Sequence, residues 1–258
     1  MAEERSLPTP YDAPDLYDRV FDGLTFDLDF WIAEGRAAHG PLLELACGTG
    51  RVLVRLLEAG LDVEGLDRYP AMLAHLRAKA EAKGFHPKLH TADMRDFATG
   101  RRYARIFCPF NGFAHADTTD DQIAALRRCR EHLEDGGALV LHVSYPGVAY
   151  WSEPEGVPVL ELETTDPATG GMLRLYDTRV RDRVAQRQQS VVEYRELDAG
   201  HAVVASHRFT TTQRWTYRYE LELLFRAAGF VRWEVFGGFA REPLERDDQQ
   251  MVAFAWRD

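Results

Sequence analysis

A stretch of ten residues from Leu42 to Arg51 combines an apolar run with two glycines and reads L-L-E-L-A-C-G-T-G-R. An amphipathic segment follows it, and Gly60 ends that segment in the way that glycine commonly ends a helix. The pattern predicts a buried strand, a tight loop and a helix. Glycines let the backbone turn sharply, and the helix N-terminus offers unpaired N–H groups to a ligand. We therefore interpret the loop as a ligand site, with a plain strand–loop–helix turn as the alternative.

The glycine spacing in this loop separates the ligand classes that use such turns. A dinucleotide site requires a third glycine in G-x-G-x-x-G, and Leu53 occupies that position. The Gly-Lys-Ser/Thr pattern of a phosphate-binding loop is also absent here. A nicotinamide-dependent oxidoreductase is therefore disfavoured.

The spacing of Glu44, Gly48 and Gly50 matches the pattern E/D-x-x-x-G-x-G. In this respect the stretch resembles motif I of the class I S-adenosylmethionine (SAM)-dependent methyltransferases, whose product is S-adenosylhomocysteine (SAH). The resemblance implies a Rossmann-like fold and a loop that binds SAM. The residues it assigns to that loop are Glu44, Ala46, Cys47, Gly48, Gly50 and Arg51.

Acidic residues follow the next two predicted strands. Asp67 ends a short strand and is placed to accept two hydrogen bonds from a ribose diol, with a helix-capping or solvated aspartate as the alternative. Asp93 could accept from the adenine amine, and the Met94 N–H could donate to a ring nitrogen, unless this is an ordinary turn. The resemblance also places two further residues beside the adenosine, Arg68 and Met72.

The predicted fourth strand ends in P-F-N-G-F-A-H, from Pro109 to His115. Ligands of open α/β sheets lie at the carboxyl ends of the strands, so we expect this segment near the reactive methyl group. The segment resembles the P-F-N-S-F-x-H stretch of small-molecule methyltransferases, which implies cofactor contacts for Phe110 and Asn111. It lacks the N/D-P-P-Y/F motif of many nucleobase and glutamine-amide N-methyltransferases, which disfavours those substrates.

Several residues are candidates for contact with the substrate. His115 is the candidate general base, because an unperturbed histidine titrates near pH 6.5; a histidine hydrogen-bonded within its loop is the alternative. Asn111 is expected to orient the substrate or to support the loop. Candidates for contact with an acidic or hydroxylated substrate are Tyr145, Arg214 and Tyr217, with a surface salt bridge as the alternative for Arg214.

An aromatic-rich segment precedes the first strand and carries Tyr11 and Tyr17. Its pattern predicts a helical N-terminal arm. A Tyr–Asp pair in this position is common in small-molecule methyltransferases, and the resemblance implies that Tyr11 or Tyr17 belongs to a lid over the cofactor. A helix packed on the edge of the sheet is the alternative.

Strand and helix patterns alternate up to residue 149, which predicts an α/β fold. The resemblance implies a seven-stranded, mostly parallel sheet in the order 3-2-1-4-5-7-6, with strand 7 antiparallel. Thr119-Asp120-Asp121-Gln122 has a capping-box pattern and predicts the start of a helix, and Ala138–Ser144 is the predicted strand 5. After strand 5 the alternation gives way to β-rich segments separated by turns, which predict an antiparallel β insertion; the segments are Val159–Thr165, Met172–Val184, Gln186–Leu197 and Ala202–Thr212. The last predicted strand is Met251–Trp256. We therefore divide the chain into an arm (1–40), a SAM-binding core (41–149), the insertion (150–212) and the completion of the core (213–258).

The composition disfavours several classes of protein. The formal net charge of −10 argues against a dedicated nucleic-acid binder. The three cysteines are widely spaced and form neither a disulfide framework nor a zinc pattern, so we predict no metal and a cytoplasmic location. Apolar runs stay well short of the roughly 18 residues of a membrane span, and the acidic, Pro-rich N-terminus is not typical of a signal peptide.

Together these patterns predict a SAM-dependent methyltransferase that acts at N or O of a small molecule. The amino-sugar and small-metabolite methyltransferases are the group that the chain resembles. A SAM-binding regulator or scaffold without turnover is the alternative from a different class of protein. The insertion follows the carboxyl end of strand 5, so it is a candidate wall of the substrate site; structural padding or a homodimer surface is the alternative.

Overall fold

A computed structural model describes residues 7–258; what the sequence predicts for residues 1–6 lies outside the described part of the chain. Two sheets organise the structure. The main sheet consists of β1 (Leu42–Leu45), β2 (Val63–Asp67), β3 (Leu89–Thr91), β4 (Tyr103–Cys108), β5 (Leu133–Val143), β10 (Arg232–Phe236) and β11 (Met251–Trp256). The second sheet consists of β6 (Pro158–Thr165), β7 (Met172–Asp182), β8 (Arg187–Leu197) and β9 (Val203–Arg214).

The main sheet runs in the spatial order β3-β2-β1-β4-β5-β11-β10. Neighbouring strands from β3 to β5 are parallel, whereas β11 is antiparallel to both β5 and β10. The predicted order 3-2-1-4-5-7-6 is therefore confirmed, as is the antiparallel seventh strand. The second sheet is an antiparallel meander inserted between β5 and the last two strands of the main sheet, which confirms the predicted β insertion.

The central parallel strands are buried because apolar clusters cover both faces of the main sheet, whereas β3 at the edge is partly exposed. All four residues of β1 and all five of β2 are buried, as expected for a parallel sheet between helical layers. No helix within residues 7–258 has the length and apolar character that a bilayer crossing requires. The helices are α1 (Pro14–Phe21), α2 (Leu28–Ala38), α3 (Leu53–Glu58), α4 (Pro70–Glu81), α5 (Thr119–His132), α6 (Val148–Ser152) and α7 (Arg218–Ala227).

The N-terminal arm is helical, as predicted, and packs against the insertion. Leu16 and Val20 of α1 lie one helical turn apart, so they share one face of the helix. That face contacts the buried Leu173, Tyr194 and Phe209 of the second sheet and forms a small third core. The arm and the insertion therefore hold each other above the carboxyl ends of the main strands.

Three local features differ from the sequence-based expectation. Helix α5 is capped by Thr118, whose Oγ1 accepts from the Asp121 N–H, one residue before the capping residue that the pattern had indicated. Strand β5 begins at Leu133, because Leu133 already pairs with Tyr103 before the register of the two strands shifts. The short helix α6 was not predicted, since its five residues are too few to show a helical period.

Candidate active site

One cavity of about 700 Å³ lies between the carboxyl ends of β1 to β4, the arm and the inner face of the insertion. This volume falls within the roughly 300–1,000 Å³ of small-molecule sites. Its position is that expected for ligands of an open α/β sheet. The predicted site residues that line it are Tyr11, Tyr17, Ala46, Gly48, Asp67, Arg68, Met72, Asp93, Met94, Phe110 and His115.

The two glycines of the loop after β1 have different roles. Gly48 has a φ of +51°, and no described atom lies within 4 Å of a Cβ built on it, so its open side leaves room for a ligand. Gly50 has a φ of +84°, and a Cβ there would overlap the Leu76 side chain of α4. Gly50 is therefore needed for packing, and it does not line the cavity.

Asp67 lies in the cavity wall at the end of β2 and is buried. Its Oδ2 accepts from the Gly48 N–H at 2.8 Å, and its Oδ1 accepts from the Tyr69 N–H at 2.9 Å. Burial raises the pKa of this carboxyl, although the two backbone N–H groups oppose the shift. Because an ionised carboxylate can accept about four hydrogen bonds, Asp67 keeps capacity for the ribose diol predicted from its position.

Asp93 lies at the predicted adenine end of the cavity, but an arginine already occupies its carboxylate. Arg95 donates to both oxygens, from Nε at 2.8 Å and from a terminal nitrogen at 2.7 Å. This arginine holds the pKa of Asp93 below its ordinary value. Two methionines, Met72 and Met94, line the same part of the cavity and offer it an apolar surface.

Glu44 and Cys47 were predicted to bind the cofactor, but the structure places both behind the loop and outside the cavity lining. Both side chains are buried. Burial raises the pKa of Glu44 to about 8, and its Oε2 has no hydrogen-bond partner among the described residues. Glu44 is therefore protonated at neutral pH in this structure.

Arg51 was also predicted to bind the cofactor, and the structure gives its guanidinium other partners. The two terminal nitrogens donate to the buried carboxylate of Asp27 at 2.6 and 2.8 Å, and one of them also donates to the Leu24 carbonyl. The guanidinium also lies over the Phe110 ring, 5.0 Å from its centroid. Arg51 thus fastens the segment between α1 and α2 to the loop after β1 and does not line the cavity.

His115 and Tyr11 form a pair at the cavity wall. The Tyr11 hydroxyl and His115 Nε2 are hydrogen-bonded at 2.7 Å, and the rings meet edge to face. Burial lowers the pKa of His115 to about 4 and raises the pKa of Tyr11. Both groups are therefore neutral at physiological pH. Tyr17 lines the cavity beside them, with its ring centroid 5.9 Å from that of Tyr11.

The predicted substrate residues other than His115 lie outside this cavity. Asn111 and Tyr145 line a smaller neighbouring cavity, where Asn111 Oδ1 accepts from the Ser144 N–H at 3.1 Å. Tyr217 lines an outer groove and meets Tyr145 edge to face. Asn111 therefore holds the loop after β5 through this hydrogen bond.

Arg214 was expected to contact substrate or to form a surface salt bridge; it does form a salt bridge, but a buried one, and it lines none of the cavities described. Its side chain is only 5% exposed and pairs with Glu220. It also donates to the side-chain oxygens of Gln122 at 2.8 Å and Gln186 at 3.1 Å. These partners join α5, the insertion and α7, so Arg214 ties the insertion to the core.

The insertion lines the main cavity, which was one of the roles expected of it, but its individual lining residues were not predicted. Asp177 and Arg179 of β7, Glu161 of β6 and Ser190 of β8 all line the main cavity. The period of two along β7 was the available signal, since residues 177 and 179 must point to the same face. Which of the two faces meets the core depends on the packing of the two sheets, which the strand pattern does not give.

The sequence was compared with known proteins. A family model described as a methyltransferase domain matches residues 42–137. The chain is 31% identical to dTDP-3-amino-3,6-dideoxy-alpha-D-glucopyranose N,N-dimethyltransferase of Streptomyces fradiae, over 83% of this chain and 82% of that protein. The chain belongs to the class I SAM-dependent methyltransferases.

Two further similarities extend over nearly the full length of this methyltransferase. It is 27% identical to the cypemycin N-terminal methyltransferase of a Streptomyces species, over 96% of this chain and 97% of that protein. The structure of the CcbJ methyltransferase from Streptomyces caelestis superposes with a TM-score of 0.69 at 27% identity, covering 92% of this chain and 97% of that one. The chain is therefore an enzyme of this class, and SAM is its cofactor.

The cavity of the methyltransferase fits SAM. The open side of Gly48 would give the cofactor access to the backbone, and the buried Asp67 would offer it carboxylate oxygens. The charged groups that line the cavity are mostly acidic, which suits a cofactor with a positively charged sulfur; they are Asp67, Arg68, Asp93, Arg95, Asp117, Glu161, Asp177 and Arg179.

Proposed function

We propose that this methyltransferase transfers the methyl group of SAM to the amino group of a small, hydroxylated, sugar-like molecule. The observation that carries the proposal is the neutral Tyr11–His115 pair in the wall of an acid-lined cavity. The names of two relatives supply further support. One relative is an N,N-dimethyltransferase of an amino sugar, and the other methylates the N-terminus of cypemycin.

The pKa of His115 favours nitrogen over oxygen as the acceptor atom. An alcohol must lose a proton as it is methylated, which calls for a base with a pKa near the working pH. His115, with a pKa lowered to about 4, is a weak base. An unprotonated amine already carries a lone pair and can attack without prior loss of a proton. We therefore assign His115 to orienting Tyr11, in place of the general-base role expected from sequence.

The Tyr11–His115 pair can orient an amine. Burial keeps the Tyr11 hydroxyl protonated, and its hydrogen bond to His115 fixes the position of the oxygen. That oxygen can accept a hydrogen bond from an amine N–H, which directs the nitrogen lone pair away from the tyrosine. When bound, SAM supplies a methyl group that its positively charged sulfur has activated. Correct alignment alone can lower a barrier by roughly 7–11 kcal/mol.

The direct test is turnover with SAM labelled with ¹³C in its methyl group. The acceptors are 3-amino-3-deoxyglucose and, as the matched control, glucose. We expect SAH release and a ¹³C-methyl group on nitrogen with the amino sugar only. Methylation of a hydroxyl group in either sugar would contradict the proposal. SAM binding without turnover on a wide panel of amines would favour the scaffold alternative.

A variant tests the part played by the pair. Tyr11→Phe removes only the hydroxyl, so we expect kcat to fall roughly 10- to 100-fold while the SAH dissociation constant stays within about twofold. Tyr219→Phe is the matched control, because Tyr219 lies on the outer face of α7 and is 73% exposed. An unchanged kcat for Tyr11→Phe would remove the pair from the mechanism.

A further inference from the structure

A second cavity of about 290 Å³ lies directly beside the main one. Glu161, Arg179 and Gln213 line both cavities, so these three side chains form the partition between them. The second cavity, which we call the side cavity, opens at the loop after β5. It adjoins the main cavity at the wall that the insertion contributes, whereas Asp67 and Asp93 belong to the wall contributed by the core.

The arginine of the partition is already paired with carboxylates. Arg179 lies between three carboxylates: it donates to Asp177 at 2.8 Å, pairs with Glu161 at 2.7 Å and contacts Glu153. The side chain of Arg179 is only 13% exposed. Glu153 and Glu161 also line the side cavity, and the buried Arg181 behind Tyr150 pairs with Glu153 at 2.9 Å, so both arginines there are already paired with carboxylates. An anionic group such as a diphosphate would find no unpaired arginine here.

The remaining walls of the side cavity combine aromatic rings with amide groups. Tyr145, Tyr150 and Trp215 supply the rings, and Gln188 and Asn111 supply amides. Aromatic rings offer a flat apolar surface to the C–H faces of a ring, and the amides and carboxylates can exchange hydrogen bonds with hydroxyl groups. This set of groups matches an uncharged, hydroxylated ring.

We propose that the side cavity binds a second, uncharged, hydroxylated ring that is attached to the amine-bearing ring. This inference rests on the proposed function, because it assumes that the amine reacts in the main cavity. The acceptor then spans the partition, with its amine near Tyr11 and its second ring against Tyr145. A nucleoside diphosphate in place of the second ring is the alternative that the charges disfavour.

The test compares three acceptors. Calorimetry measures their binding to the protein loaded with SAH, and an activity assay measures their turnover by the protein loaded with SAM. They are 3-amino-3-deoxyglucose, the same sugar joined glycosidically to a glucose, and the same sugar carrying dTDP. We expect the disaccharide to bind roughly tenfold or more tightly than the monosaccharide, as one or two added hydrogen bonds and a ring contact would give. The dTDP sugar should gain nothing over the monosaccharide.

Two variants link that gain to the side cavity. Ser144→Trp places bulk at its mouth without removing a core contact, and Tyr145→Ala removes one of its aromatic walls. Both should abolish the advantage of the disaccharide, and Ser144→Trp should leave monosaccharide turnover within about threefold. The matched controls are Ser152→Trp and Tyr219→Ala, which alter residues outside both cavities. Thermal unfolding verifies that each variant is folded.

The outcomes separate this inference from the proposed function. Turnover of the monosaccharide with no gain for the disaccharide would overturn the side cavity as a subsite while leaving amine methylation in place. If the Ser144→Trp variant still bound the disaccharide more tightly than the monosaccharide, the side cavity would likewise be ruled out as a subsite. Tighter binding of the dTDP sugar would assign a nucleotide to the acceptor and overturn the inference. Absence of turnover with every amine would instead count against the proposed function.

Discussion

Asp67 joins the glycine loop to the end of β2 through hydrogen bonds to the N–H groups of Gly48 and Tyr69. Asp67→Asn replaces one acceptor oxygen by an NH₂ group, which must then face the N–H of Gly48 or Tyr69. The substitution also removes the negative charge of the side chain. Hydrogen bonds to charged groups contribute about 1.5–3 kcal/mol, so we expect the SAH dissociation constant to rise at least roughly tenfold in calorimetry. Asp96→Asn is the control, since that side chain is 83% exposed. Equal SAH affinities of Asp67→Asn and the wild type would show that Asp67 does not bind the ribose.

Glu44 makes the stability of the apoprotein depend on pH in a defined direction. Its pKa is about 8 in the folded protein and about 4.5 in its ordinary state, so the folded form holds a proton that the unfolded form releases. Stability is therefore lost as the pH rises from about 4.5 through 8. Glu44→Gln cannot ionise, so its stability relative to the wild type should increase across this range by on the order of 4 kcal/mol.

Urea unfolding of both apoproteins at pH 5 and pH 8.5 measures the Glu44 effect. Burial lowers the pKa of both His115 and His142 to about 4, so these histidines lower stability as the pH falls below 6.5. Both proteins contain them, and their contribution cancels in the difference. A difference between variant and wild type that does not change with pH would show that Glu44 is ionised in the folded protein.

Motif residues could be located from sequence where their partners are local. Gly48 and Asp67 belong to consecutive βα units, so a strand pattern and a spacing were enough to place both at one edge of the sheet. Arg51 could not be assigned in this way, because its partner Asp27 comes from the arm and the pairing depends on tertiary packing. The burial of the Arg214 salt bridge could not be predicted for the same reason, since its further partner Gln122 is 92 residues away.

The arm is attached to the insertion through Arg19 of α1. Arg19 donates to Asp166 at 2.5 and 2.9 Å and to Glu196 at 2.6 Å, and it holds the pKa of Asp166 well below its ordinary value. Arg19→Met should free the arm, which carries Tyr11 and Tyr17 into the cavity wall. We expect faster amide hydrogen exchange in residues 11–21 and a roughly three- to tenfold higher SAH dissociation constant.

A matched control for the arm is Arg183→Met, because Arg183 is a salt-bridged arginine of the insertion with a side chain 66% exposed. It should leave both the exchange rates and the SAH affinity unchanged. Deletion of residues 1–20 should raise the dissociation constant further, as expected of a lid. If neither Arg19→Met nor the deletion affected SAH binding, the arm would be only a packing element.

Secondary structure could be predicted closely where the hydrophobic period was unambiguous. The strands of the insertion and β11 follow their predicted ranges to within two residues. β-branched and long polar residues between turn sequences mark the strands of the insertion, and a continuous apolar run marks β11. The start of β5 was placed too late, since a strand that contains Asp135 and two glycines reads as a turn. Which face of the insertion meets the core could not be predicted, because it depends on how the two sheets pack.

The cavity is assembled from three separate parts of the chain: strand ends of the core, the arm and the insertion. The core supplies Asp67 and Asp93, the arm supplies Tyr11, and the insertion supplies Asp177 and Glu161. Under the proposed function, the strand ends of the core would hold the cofactor and the insertion would face the acceptor. The residues of the core could be predicted from motifs, whereas the lining residues of the insertion became visible only in three dimensions.

The most direct measurement of this arrangement is a crystal structure of the protein with SAH. We expect the ribose hydroxyls of SAH within about 2.6–3.2 Å of the Asp67 carboxylate, the adenine between Met72 and Met94, and the sulfur directed toward Tyr11. SAH bound elsewhere, or a loop from Ala46 to Gly50 that remains empty at saturating SAH, would contradict the account.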